Sequence, residues 1–155
     1  MTHTQSGQSV LDRLSPEVLS RLNRFAHDHD YPAGATIIRE GDDTHFLGVV
    51  TTGRVALRLR VPELGDRFTI VTCEPGEIIG WSAVVAPFRA TVDAVATEPT
   101  RIVAFDATAL RARLVDDHAL AAELLPLVLE SVSGRLTASW QQMLDMFGSR
   151  GPEPW

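Results

Sequence analysis

Apolar residues Val18, Leu19, Leu22 and Phe25 follow Ser15-Pro16 at helical spacing, with serine suited to the N-cap and proline to the first helical turn. This predicts a first helix that ends between His27 and Pro32, preceded by a loose N-terminus over residues 1–14. From about residue 32 to residue 105 the period changes to two. Turn-forming residues interrupt it every few positions, as in a sandwich or barrel of many short strands. Residues 54–61 alternate most cleanly: Val55, Leu57, Leu59 and Val61 are predicted to face the core, and Ala56, Arg58 and Arg60 to face water. Residues 68–73, 91–95 and 101–105 are further strand candidates, with turns at Gly65-Asp66 and Glu74-Pro75-Gly76.

At Asp106 the helical period returns. Asp106 suits the N-cap of a helix over residues 107–115, and Asp116-Asp117 introduces a second helical run. Along that run Leu125, Leu129, Val132, Leu136, Trp140, Met143 and Phe147 fall three and four apart, a stripe that seeks a partner helix beyond its own barrel. A homodimer through this C-terminal helix is the expectation, because an unpartnered face of that length exposes a large apolar patch. Pro126 and Gly134 interrupt the stripe. Proline lacks a backbone donor, which predicts a break or kink near Pro126 and a long helix beginning just after it. Residues 148–155, with Pro152 and Pro154, read as a loose tail.

The chain has 155 residues, 45% apolar and 22% charged, which is enough for one globular domain. No uncharged apolar run approaches the ~20 residues of a membrane helix, and the polar start lacks the features of a signal peptide. A soluble, cytoplasmic protein is expected. Cys73 is the lone cysteine, so an internal disulfide is excluded, and no Cys/His cluster has zinc-finger spacing. Twenty acidic against 14 basic residues give a net charge of −6, and every basic residue is arginine. Direct DNA binding suits that balance poorly, because phosphate neutralisation supplies most non-specific affinity.

Three glycines punctuate the strand region, in Pro32-Ala33-Gly34-Ala35-Thr36-Ile37-Ile38, Arg39-Glu40-Gly41-Asp42 and Thr52-Gly53-Arg54-Val55. Each suits a tight turn with positive φ between short strands. Together with Phe46-Leu47, their order resembles the start of the cyclic nucleotide-binding domain, found in catabolite-activator-type bacterial regulators, in regulatory subunits of cyclic-nucleotide-dependent kinases and in nucleotide-gated channels. The resemblance spans most of the chain. It implies a mainly β fold with flanking helices: a double-stranded β-helix, or jelly-roll, barrel over about 32–105, C-terminal helices over about 106–147, and one domain over 15–147.

Pro75-Gly76-Glu77-Ile78-Ile79-Gly80 and the following Trp81-Ser82-Ala83 through Arg89-Ala90-Thr91 are similar to the family's phosphate-binding cassette. The resemblance implies a short helix whose backbone N–H groups meet the cyclic phosphate, with Arg89 as the arginine that pairs with it. Gly80, Trp81, Ser82, Ala83, Arg89, Ala90 and Thr91 are thus the candidate ligand-binding residues. A match by length adds Ser139 and Trp140, beside Thr137, as helix residues near the base. Trp81 departs from the family pattern, which has an acidic acceptor for the ribose 2′-hydroxyl there. The loss of that acceptor costs on the order of 1–3 kcal/mol unless Ser82 or a carbonyl substitutes.

Two readings follow. One is a non-catalytic sensor that captures cAMP, cGMP or a related anion, with no cofactor, no catalytic residue and no metal site. The other is a ligand-free scaffold or dimerisation module, its pocket filled by Trp81, docking to an unknown protein partner. A metal-dependent barrel enzyme ranks below both: His27-Asp28-His29 has the spacing of metal ligands, but no suitable third histidine follows, and His45 and His118 stand alone. In catabolite-activator-type regulators a DNA-binding unit follows the long helix, whereas few residues remain here after Phe147, so a role without direct DNA contact is expected.

Overall fold

The computed structural model describes residues 9–148. Two four-stranded antiparallel sheets face each other, one in the order β1 (Ala26–Tyr31), β8 (Thr100–Asp106), β3 (Phe46–Thr52), β6 (Ile78–Ile79). The other runs β2 (Thr36–Ile38), β7 (Asp93–Ala96), β4 (Val55–Val61), β5 (Asp66–Cys73). Helices α1 (Pro16–Asn23), α2 (Ala107–Asp116) and α3 (His118–Gly148) flank this jelly roll. Among the described residues no helix is long and apolar enough to cross a membrane.

Strand β3 is buried on both faces, which explains the unbroken apolar run at Phe46-Leu47-Gly48-Val49-Val50. Val50 joins Val55, Leu57, Cys73, Ile79, Ala94 and Ile102 between the sheets. Leu47 and Val49 point the other way, into a core shared with Val18, Leu22, Phe105, Leu110, Leu120, Leu124 and Val128 from the strands and helices. The first half of α3 is therefore part of the domain's own core.

Polar contacts fix the same helix. The Ser15 backbone N–H and hydroxyl both donate to the Glu123 carboxylate, at 2.7 and 2.8 Å. Arg21 grips Asp117 with two bonds of 2.6 and 3.1 Å, while Asp117 accepts the Leu120 N–H at 3.1 Å. That backbone bond, then the Arg21 guanidinium, hold the Asp117 carboxyl below its usual range. The N-caps expected at Ser15 and Asp106 are both present.

Several expectations need correction. Residues 9–14 are not loose: Ser9 caps a 3-10 turn at Val10–Arg13, the Val10 N–H donates to the Gly76 carbonyl at 2.9 Å, and Leu14 is buried. The earlier positions 1–8, and the tail beyond 148, lie outside the described residues. The first helix stops at Asn23, and His27-Asp28-His29 belongs to strand β1, which pairs with β8 and is mostly exposed, hiding any alternation. Strand β7 starts at Asp93 rather than residue 91. In β4 the alternation fails at both ends: Ala56 is buried along with Val55 and Leu57, and past the register shift at Leu57/Arg58 Leu59 is 37% exposed. The expected break at Pro126 is absent: α3 starts at His118 and runs through it. Buried Leu120 and Leu124 before the proline, with Leu127 and Val128 after it, hold the helix against the loss of one backbone bond.

The glycines at 34, 41 and 53 all have positive φ, between 86 and 89°. Gly53 is doubly constrained, because a Cβ there would lie 2.5 Å from the Pro99 carbonyl oxygen, whereas Gly34 has nothing within 4 Å. Gly34→Ala is expected to cost about 1 kcal/mol for backbone strain alone, and Gly53→Ala at least about 1 kcal/mol more. Urea unfolding midpoints measure both, and equal midpoints would refute the distinction. A second outcome concerns pH. Because the folded Asp117 carboxyl is shifted down, its stabilisation is complete above an unfolded value of about 4 and is lost as pH falls through the lower folded value. Asp117→Asn should therefore flatten the acid limb of the stability curve measured by urea unfolding from pH 5 to pH 2.

Candidate ligand-binding site

After β6 the chain turns sharply at Gly80 (φ +74°), where a Cβ would lie 2.6 Å from the Phe46 carbonyl oxygen. Only glycine permits that approach. The turn launches a single 3-10 turn, Trp81–Ala83, where the resemblance implied a short helix. Ser82 is buried, with its hydroxyl 2.8 Å from the Thr44 hydroxyl. The Ala83 carbonyl accepts a 2.8 Å bond from Arg111 of α2, and the same guanidinium lies 4.2 Å from the centre of the Phe88 ring. Phe88 has φ +64°, a strained value for a side chain of this size, and its carbonyl accepts the Thr44 N–H at 2.8 Å. Arg111 thus clamps the cassette at both ends of its loop.

Between the cassette and the sheet of β2, β7, β4 and β5 lies a narrow crevice. Gly80, Trp81, Ser82, Ala90 and Thr91 line it from the cassette, and Arg135 reaches it from α3. Its open space is ≈ 20 Å³, room for about one water. Trp81 also borders a groove of ≈ 520 Å³ with an apolar lining that includes Val84, Val85, Leu125, Leu129 and Val132. Trp81 lines both.

The remaining candidates lie elsewhere. Arg89 does not line the crevice: its side chain is 66% exposed and sits 3.7 Å from the Asp43 carboxylate. The backbone explains this placement, because Asp43 and Arg89 are paired as a β-bridge, with the Ala90 N–H donating to the Asp42 carbonyl at 2.9 Å. Ala83 is buried beneath the cassette. The Ser139 hydroxyl donates to the Arg135 carbonyl within its own helix at 2.9 Å, Thr137 does the same to Ser133 at 3.0 Å, and Trp140 is 57% exposed. The structure therefore brings together five of the nine candidate residues and leaves Ala83, Arg89, Ser139 and Trp140 outside the lining. Nearby, Asp93 is buried and anchors the edge of the site, accepting the Glu40 N–H at 2.8 Å and pairing with Arg67 at 2.8 Å.

Sequence reasoning missed Arg135. Its Nη2 donates to the Ile78 carbonyl of β6 and lies 3.4 Å from the Cys73 sulfur. Burial pushes the Cys73 thiol up, so it meets Arg135 as a neutral group. The available signal was register: Leu124, Val128 and Arg135 fall on one helical face, so a cation continues an apolar stripe. Among the described residues no group of three or more His, Cys, Asp or Glu is placed to hold a metal ion.

Comparison with known proteins agrees with this architecture. The model of the cyclic nucleotide-binding domain family matches residues 28–117. A CRP-like cAMP-activated global transcriptional regulator of Mycobacterium tuberculosis is 22% identical over 91% of this chain and 69% of its own length. A cyclic nucleotide-binding domain from Methylobacillus flagellatus KT superposes with a TM-score of 0.79 at 22% identity, covering 88% of this chain and 80% of that one. The N-terminal domain of a transcriptional regulator from Streptomyces coelicolor A3(2) does so with a TM-score of 0.65 at 26% identity, covering 88% and 92%. With the family model matching residues 28–117, more than half of the chain, on a jelly roll with a long C-terminal helix, this chain belongs to the cyclic nucleotide-binding domain family.

Proposed function

We propose that this chain is a non-catalytic sensor that captures a cyclic nucleotide, cAMP or cGMP, or a related anionic ligand, and reports its presence through α3. The observation that carries this reading is the crevice itself, which has the cassette turn on one side and a cation from α3 on the other. A ligand touching both elements favours one helix arrangement over another, which is what coupling requires. The M. tuberculosis relative is described as cAMP-activated, which makes cAMP the first ligand to test. Arg89 is exposed beside Asp43 and directly precedes Ala90 and Thr91, which line the crevice. The acidic balance of the chain argues against direct DNA contact by this domain.

The ≈ 20 Å³ of open space favours the second reading, a ligand-free module whose pocket is closed by Trp81. Thermal unfolding separates the two. A cyclic nucleotide at 100 times its Kd should stabilise by ~2.7 kcal/mol, which raises the midpoint by about 5–10 °C. Arg89→Ala should reduce that shift. If cAMP and cGMP both leave the midpoint unchanged, the cyclic nucleotide sensor fails and the closed module stands.

Self-association through α3 supports either reading. Leu129 is 69% exposed, and Leu125, Leu136, Trp140, Met143 and Phe147 continue the same uncovered face. A second copy of the chain would bury that face and the adjoining groove. Light scattering at micromolar concentration should give twice the chain mass, and Leu129→Asp should shift it toward the monomer. A monomeric wild type would overturn the dimer.

A further inference from the structure

Among the described residues Phe88 is the only one other than glycine with a positive φ. Its +64° lies in the left-handed region, which costs a bulky side chain energy and persists only where neighbouring contacts hold it. Two sets of contacts do so. On one side the Thr44 N–H donates to the Phe88 carbonyl at 2.8 Å and the Ala90 N–H to the Asp42 carbonyl at 2.9 Å. On the other, Arg111 donates to the Ala83 carbonyl at 2.8 Å, with its guanidinium 4.2 Å from the centre of the Phe88 ring. Among the described residues that guanidinium forms no ion pair, so these are its commitments. Its base is fixed, because Ala107 and Leu110 of the same helix are buried in the core.

We propose that Arg111 is a positioning residue for the candidate ligand-binding site: by holding Ala83 and Phe88 to one guanidinium it keeps Phe88 left-handed, and so fixes the two stretches that line the crevice relative to each other. One stretch, Gly80, Trp81 and Ser82, ends immediately before Ala83; the other, Ala90 and Thr91, begins just beyond Phe88 and Arg89. Arg111 does not itself line the crevice, so it acts through the cassette and not on the ligand. This deepens the sensor reading and rests on it for the identity of the ligand, but not for the conformation of the loop. The chemistry of the side chain suits the task. A planar guanidinium stacks its face on an aromatic ring while its edge donates to a carbonyl, which a lysine ammonium cannot do in one fixed geometry. Strain supplies the alternative state: without the cation, Phe88 relaxes to negative φ and the loop over residues 84–88 loses its single shape. A lining already in place when the ligand arrives saves the cost of ordering it on binding.

The test uses the full chain as wild type, as Arg111→Met, and as Arg111→Met combined with Phe88→Gly or with Phe88→Leu. Both second substitutions remove the ring, but only glycine takes a positive φ without strain. Amide hydrogen exchange at Val84, Val85 and Ala90, whose N–H groups donate to the Trp81, Ser82 and Asp42 carbonyls, reports on the loop without ligand. Arg111→Met, which loses a charge-assisted bond, should exchange there about tenfold faster than wild type. Adding Phe88→Gly should bring the rates back toward wild type, and adding Phe88→Leu should not. A merely structural role predicts no such rescue. Unchanged exchange in Arg111→Met, or equal effects of glycine and leucine, overturns the proposal. Calorimetric titration with cAMP and cGMP reads the consequence for binding: Arg111→Met should bind about tenfold more weakly, and the glycine double variant should regain affinity that the leucine one does not. Undiminished affinity in Arg111→Met keeps the sensor and overturns the positioning role. If wild type binds neither nucleotide, the cyclic nucleotide sensor fails, and the exchange pattern alone decides for or against Arg111. If Arg111→Met does not fold, as judged by circular dichroism, Arg111→Lys takes its place: faster loop exchange that Phe88→Gly reverses supports the proposal, and wild-type exchange overturns it.

Discussion

Gly80 leaves β6 in a left-handed conformation, close enough to β3 that any side chain would collide with the Phe46 carbonyl oxygen. That approach decides where the next ten residues go. It turns the chain so that Trp81 borders both crevice and groove, Ser82 meets Thr44, and the Ala83 carbonyl comes within reach of Arg111. A Cβ at this one position would push β3 and the cassette apart at the Phe46 carbonyl.

The long helix serves two masters along its length. Its first half is core: it buries leucines against the sheet and is pinned by Glu123 and Asp117 to α1. This anchoring tolerates a proline inside the helix, since the apolar residues on both sides are packed. Its second half carries exposed leucine, tryptophan, methionine and phenylalanine, with no buried residue after Val128. Arg135 stands at the junction between these regimes, where its bond to the Ile78 carbonyl ties the helix to β6.

The sequence made the fold class readable because turn chemistry is local. Positive-φ glycines, an aspartate and a serine at N-caps, and the exposed apolar stripe on the last helix all declare themselves within a few residues. Non-local placement was less readable. β1 pairs only at one edge and is mostly exposed, so His27 to His29 show no alternation. The irregularity in β4 belongs to a strand pair, not to either strand, and no spacing of valines and leucines foretells it. The site divides the same way. Its cassette residues are contiguous and could be listed by resemblance, while the position of Arg89 depends on a bridge to Asp43 and that of Arg135 on the reach of a long side chain from a distant helix.

Trp81 also has an outer face. The same residue lines the inner crevice and the outer apolar groove, so a displacement of its indole would alter both spaces. An occupant of the groove that displaced Trp81 would be linked to any occupant of the crevice, and such a linkage is symmetrical: if an inner occupant alters affinity on the outside by some factor, an outer occupant alters affinity on the inside by the same factor. The crevice would then have no fixed binding constant of its own, only one set for a given protein concentration and a given state of the surface across the tryptophan.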